Sequence, residues 1–194
     1  MALEICAAPE GLPVSVEEAK AFARVEHDAD DELFETLVAA ARDHVEQAVA
    51  RTLVQTTYKW TARCFPDLVH LPRSPLVSVQ YVKYRDREGD LHSLVADTDY
   101  LIDYAAEPAT IEPVRSWPMT GDFPDAVQVR FIAGYAPDDG SPPDPAGNVP
   151  ARAKVAIKAL AAHWYEQREP VALTQPHEIP YHVARLLNGL KVWR

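Results

Sequence analysis

Proline placement is the strongest single limit on how this chain can fold. Twelve of its 17 prolines lie between Pro66 and Pro150. A proline lacks the backbone N–H and has a fixed φ, so it ends helices and is confined to the edges, bulges and turns of sheets. The middle of the 194-residue chain must therefore be short strands and loops. Long helices are possible only before it and after it.

The segment before it reads as two helices. Ser15-Val16-Glu17-Glu18 has the form of a capping box, in which the Ser hydroxyl and a Glu carboxylate satisfy free N–H groups at a helix start. A short helix should run from there to about Val25. The acidic run His27-Asp28-Ala29-Asp30-Asp31-Glu32 then suits the positive end of a second helix dipole. Leu33, Leu37, Ala41 and Val45 recur every four residues, joined by Phe34, Val38, Ala48 and Val49, which predicts a long amphipathic helix over about residues 30–50.

From Gln55 the period changes to two. Tyr58, Trp60, Ala62 and Cys64 alternate with Thr57, Lys59, Thr61 and Arg63, as a half-buried strand requires. Further strands are expected at 68–71, 77–84, 91–94, 100–103, 110–112 and 127–133, with Asp86-Arg87-Glu88-Gly89-Asp90 as a hairpin turn. The Pro-, Gly- and Asp-rich stretch from Gly134 to Asn148 has no periodicity and reads as an exposed linker. Pro150 suits the first turn of a third helix, because its missing N–H would have no partner there. Ala153, Ile157, Leu160 and Trp164 form one apolar row of that helix, and Val155, Ala159 and Ala162 a second. It should end near Glu169. A last helix starts near Pro180, turns Val183, Leu186 and Leu187 inward and stops at Gly189.

The expected class is α+β: a helical core of two N-terminal and two C-terminal helices with an inserted antiparallel β-unit. The expected parts are an N-terminal helical part (1–53), the β-unit (54–135), a linker (136–149) and a C-terminal helical part with a tail (150–194) that packs with residues 1–53.

Charge follows a different division. The net charge is −10, and residues 1–50 hold 12 acids and 3 bases, whereas residues 151–194 hold 3 acids and 7 bases. The overall deficit of Lys and Arg argues against tight duplex DNA binding, since that affinity comes from cations that displace counterions from phosphate. The asymmetry bears on association instead. No apolar run approaches a membrane span, and the start Met1-Ala2-Leu3-Glu4 lacks a basic leader, so a cytoplasmic chain is expected. Cys6 and Cys64 have no metal-type spacing and read as reduced and inert.

Tests for chemistry fail in turn. Asp28, Asp30 and Glu32 could begin an EF-hand loop, but Leu33 stands where glycine is needed and Ala39 where the closing Glu is needed. His177 and His182 are five apart with Pro180 between them, off a common helix face and unsuited to zinc. His163 has Glu166 and Glu169 nearby but no nucleophile, so a packed or interface histidine is the simpler reading. No phosphate-binding glycine loop and no G-x-S-x-G elbow occurs. No catalytic, metal or cofactor-binding residue is assigned, and no cofactor is expected.

What remains is an aromatic and basic C-terminal block, with Trp164, Tyr165, Arg168, Tyr181, Trp193 and Arg194 of the kinds that dominate protein interfaces. One reading packs Trp164 in the core and folds Trp193 back on its own helix; the functional alternative is a docking segment. Lys154, Lys158, Trp164, Tyr165, Arg168, Lys191, Trp193 and Arg194 form one candidate docking interface, and Asp28, Asp30, Asp31 and Glu32 form a candidate acidic partner face.

In this order of pieces the chain resembles the head-tail connector (adaptor) proteins of tailed phages, prophages and gene transfer agents. The resemblance rests on Ser15–Val25 with the Asp-rich start of the next helix, on Leu71-Pro72-Arg73-Ser74-Pro75-Leu76-Val77-Ser78-Val79, on Trp117-Pro118, on Phe131-Ile132-Ala133-Gly134-Tyr135 and on His163-Trp164-Tyr165-Glu166-Gln167-Arg168-Glu169. It implies a structural, non-enzymatic subunit of a ring, commonly twelve-fold, under the portal of the DNA-filled head. The implied partners are other copies of the chain, the portal protein and a head-closure or tail protein, with double-stranded DNA passing the lumen unbound and no membrane. The implied location is the virion or phage-like particle, after assembly in the host cytoplasm. The alternatives are another virion assembly protein, of head-closure or tail-terminator type, and a small hydrolase.

Overall fold

The computed structural model describes residues 1–9, 11–140, 144, 146–167 and 181–192, the side chains of 181 and 182 excepted. Helices and antiparallel sheets are both present, so the chain is α+β. It forms two compact units, one built from residues 11–54 and 136–191 and the other from residues 1–9, 55–135 and 192.

The helical unit holds α1 (Val16–Ala23), α2 (Asp31–Val49), α3 (Ala151–Glu166) and α4 (Tyr181–Asn188). Ser15 caps α1, its Oγ accepting the Glu18 N–H at 3.1 Å. The inward row of α2 is Phe34, Val38, Ala41, Val45 and Val49. It lies one position on from the expected Leu33 and Leu37, because a period of 3.6 carries a strict four-residue row off the buried face; Leu33 is exposed. On α3 the first expected row is buried through Ala153, Ile157 and Leu160, while Val155 of the second faces solvent. Small residues dominate the contact face of α3 (Ala153, Ala156, Ala161 and Ala162), which lets α1, α2 and α4 approach it closely. On α4, Val183 and Leu187 are buried and Leu186 is half-buried.

Residues 136–140, 144 and 146–149 are not simply a solvated linker. Asp138 Oδ1 accepts the backbone N–H groups of Gly140 (3.1 Å) and Asp144 (2.7 Å), and its carboxyl is held below the usual range by those bonds. Ala146 and Val149 are buried. Gly147 lies so close to the Asp138 side chain that a Cβ there would collide with it.

The β-unit is two sheets. One has the order β1-β2-β8-β4-β5, with β1 (Ala2–Ala7), β2 (Thr56–Ala62), β4 (Leu76–Arg85), β5 (Leu91–Leu94) and β8 (Val127–Ala133). The other has the order β3-β7-β6, with β3 (Val69–His70), β6 (Tyr100–Asp103) and β7 (Thr110–Pro113). Every strand pair is antiparallel. The inward row of the large sheet (Tyr58, Trp60, Ala62, Val82, Val127, Val129, Phe131 and Ala133) joins Val69, Leu71, Tyr100 and Ile111 in one core. The alternation expected from Gln55 stops at Ala62, and Cys64 is exposed.

One strand was not expected. Residues 2–7 form β1, paired with β2 through Leu3 opposite Trp60 and Ile5 opposite Tyr58. All six of its residues are exposed, so it lacks the one-sided burial that marks a strand in sequence. The hairpin turn is as expected, with Gly89 at φ 96° between β4 and β5.

Candidate functional site

The acidic run and the third helix meet inside one chain. Asp30 ends the turn before α2, and its Oδ2 accepts the Tyr165 hydroxyl at 2.6 Å from α3. The Tyr165 ring packs on Phe34 at 4.5 Å between centroids. His27 Nε2 lies 3.8 Å from the same Oδ2. Asp30 is thus a tertiary anchor rather than a side-chain cap for its own helix, which it does not cap.

Its neighbours Asp28 and Asp31 hold Lys20, whose Nζ donates to them at 2.9 and 2.5 Å. The Lys20 stem is buried while its ammonium reaches the carboxylates, the usual way a lysine covers apolar surface. The hydrogen bonds to Asp31 and then Asp28 raise the Lys20 pKa, and the bond from Lys20 lowers that of Asp28. A carboxyl lowered by folding contributes stability above its unfolded value of about 3.9, lost as pH falls through the folded value. The raised lysine contributes below about 10.4, and that part is lost as pH rises through its folded value. The thermal midpoint of Lys20→Met should therefore fall below that of the parent near pH 7 and converge with it toward pH 3. A constant gap across that range in calorimetric scans would contradict this account.

The expected interface residues separate into four groups. Lys158 lies 3.7 Å from Glu18 of α1, so part of the acid–base complementarity is used within the subunit. Trp164 is half-buried and meets His44 of α2 edge to face at 6.2 Å, and Tyr165 is engaged as described. These two aromatics support the helical unit itself. Lys154 is half-buried, and Glu32 and Lys191 are exposed. Arg168, Trp193 and Arg194 lie outside the described residues, as do His177, Glu178 and Glu169.

No group of His, Cys, Asp and Glu able to hold a metal ion occurs among the described residues, and no described helix is long and apolar enough to cross a membrane. The β-unit carries a groove of about 680 Å³ whose lining is mostly apolar, including Met1, Leu3, Trp60, Leu68, Leu71 and Pro108. It has His70 as its titratable member and no convergent set of polar groups. That composition serves recognition of an apolar surface better than chemistry. The sequence reading missed the groove because Ala2 and Leu3 in its wall belong to β1, whose short run Ala2–Ala7 carries no burial pattern.

Across the whole chain, the fold is similar to a chain in the neck of an empty gene transfer agent particle computed with C6 symmetry, with a TM-score of 0.79, 21% identity and coverage of 100% of this chain and 97% of the other. A chain of the native gene transfer agent virion matches with a TM-score of 0.75 at 22% identity, again over 100% and 97%. A chain of the native neck computed with C12 symmetry matches at 0.73 and 22%, with the same coverage. At such identities the likeness establishes a shared fold. No curated protein matches the chain in sequence. The model of phage gp6-like head-tail connector proteins matches residues 13–97, from the turn before α1 to the turn after β5. Over residues 13–97, then, the chain is similar to the phage gp6-like head-tail connector proteins.

Proposed function

We propose that this chain is a structural subunit of the neck of a gene transfer agent or tailed-phage particle. Copies form a ring, twelve-fold in the particle, beneath the portal; the ring extends the DNA channel and offers a platform for the next connector or tail protein. The observation that supports this best is the fold shared over the full chain with subunits of gene transfer agent necks, joined to the connector-family match. The role is mechanical and needs no catalytic group. A net charge of −10 fits a channel that passes DNA, because a wall that repels phosphate does not retain it.

Portal contact is assigned to the basic, aromatic C-terminus, with Lys191, Trp193 and Arg194 at its end. Truncation from Leu190 is a poor test, since the Leu190 carbonyl accepts a hydrogen bond from Arg51 Nε at 2.6 Å. The double substitution Trp193→Ala with Arg194→Ala should abolish co-sedimentation with portal particles. Retention of binding would remove this assignment.

For the role as a whole, deletion of the gene in a particle-producing host should give heads without tails by electron microscopy, restored by the gene in trans. Tailed, DNA-retaining particles in the deletion strain would overturn it. Heads that carry this protein but still leak DNA would point to a head-closure role instead.

A further inference from the structure

Both sheets of the β-unit present edges that point the same way at their two ends. In the large sheet four antiparallel pairings separate β1 from β5, so these two edge strands run in the same direction. In the small sheet two antiparallel pairings separate β3 from β6, which also run in the same direction. The edges are matched between sheets as well. β1 and β3 share the apolar groove, and β5 is followed by the bridge from Ala96 to Tyr100 of β6. One flank is thus β1 with β3, and the opposite flank is β5 with β6.

Each flank is apolar and open. On the first, Ile5 is 59% exposed and Leu3 36%, beside the groove. On the second, Leu101, Tyr104 and Val95 are exposed. An edge strand without proline or lysine is a template for another strand, and along β1 only Glu4 and the irregularity between Ile5 and Ala7 interrupt that edge.

Polar side chains also match across the two flanks. Asp103 of β6, Thr110 of β7 and His70 of β3 lie in one row across the small sheet. Continuing that sheet from β6 of one copy to β3 of the next would set Asp103 beside His70. The exposed Tyr104 would then face the groove, where Trp60, Leu68 and Pro108 offer an aromatic ring an apolar seat.

We propose that the occupant of the β1–β3 flank is the β5–β6 flank of a second copy of this chain, so that both sheets continue from subunit to subunit. This rests on the ring reading above. Two different flanks of one unit meeting head to tail make a heterologous contact, the kind that closes into rings when the rotation allows. The added strand would supply main-chain hydrogen bonds, and the groove would supply specificity.

The test uses the full chain in a Cys6→Ser, Cys64→Ser background with Glu4→Cys on β1 and Ser93→Cys on β5, two exposed positions on the same face of the large sheet. It is run at high protein concentration and in the assembled particle, with native mass spectrometry alongside. A short bismaleimide should give a ladder of dimers, trimers and higher species with both cysteines, and only monomer with either alone. Rings without cross-links would overturn this contact and leave the ring reading standing. Dimers from Glu4→Cys alone would also overturn it, since they mean β1 pairs with β1. A chain that stays monomeric in both settings would overturn the ring reading and this contact together. In parallel, Ile5→Lys should raise the concentration for half-assembly at least tenfold with no change in the thermal midpoint, because Ile5 is mostly exposed in the subunit; unchanged assembly would count against the contact.

Discussion

Phe131→Ala is expected to destabilise the β-unit by about 3–5 kcal/mol, the range for removing a large aromatic from a closed core. Phe131 is fully buried on the central strand β8, between β2 and β4, and its ring stacks on Tyr58 at 5.6 Å. Strands on both sides hold the backbone in register, so the site collapses little and most of the cavity remains. Trp60 lies in the same core and reports on it by fluorescence. The transition followed by near-ultraviolet circular dichroism should move down by roughly 10 °C. A drop of only a degree or two would mean that the two sheets do not share the single core described here.

Phe34→Ala should cost a similar amount, about 3–5 kcal/mol, in the helical unit. Phe34 is fully buried at the start of α2, and its ring is the floor on which Tyr165 rests while donating to Asp30. Losing the ring opens a cavity and loosens the seat of a half-buried hydrogen bond, so two effects add. Tyr165→Phe separates them. It keeps the ring contact, removes the hydroxyl, and should cost about 1 kcal/mol, or more where the carboxylate is left without its donor. Chemical denaturation of both variants, read through Trp164 beside His44, measures the difference. Equal losses in the two variants would show that the ring contributes nothing beyond its hydroxyl.

Local rules carried far in this chain where one residue decides the backbone. Ser15 starts α1, the acidic run precedes α2, Gly89 turns the β4–β5 hairpin, and Pro150 opens α3. The strands at 91–94, 100–103 and 127–133 lie where alternation and punctuation put them. Prediction from local pattern failed where burial is not periodic. β1 is exposed along its whole length, so Ala2–Ala7 looks like any polar-apolar tail. Asp138 and Gly147 organise a loop through contacts between residues nine apart, which no composition rule reveals.

The candidate site divides along the same line. A set of interface-type residues was legible, because aromatic and basic side chains at one end of an acidic chain stand out. Their use was not. Tyr165 reaches Asp30 across 135 positions, and Lys158 reaches Glu18, so residues that looked available to a neighbour are partly committed at home.

By itself the amino-acid sequence determined the class, the alternation of helical and strand blocks, the exclusion of a basic DNA-binding face and the connector resemblance. Each of these follows from spacing, punctuation or charge, which act over a few residues or sum over the whole chain. Only the tertiary structure decided that the N-terminal strand joins the sheet of residues 55–135, that the acidic run anchors α3, and that two like-directed sheet edges flank the β-unit. Those facts depend on which distant segments become neighbours, and strand order and pairing are set by the packing of a shared core rather than by any segment's own pattern.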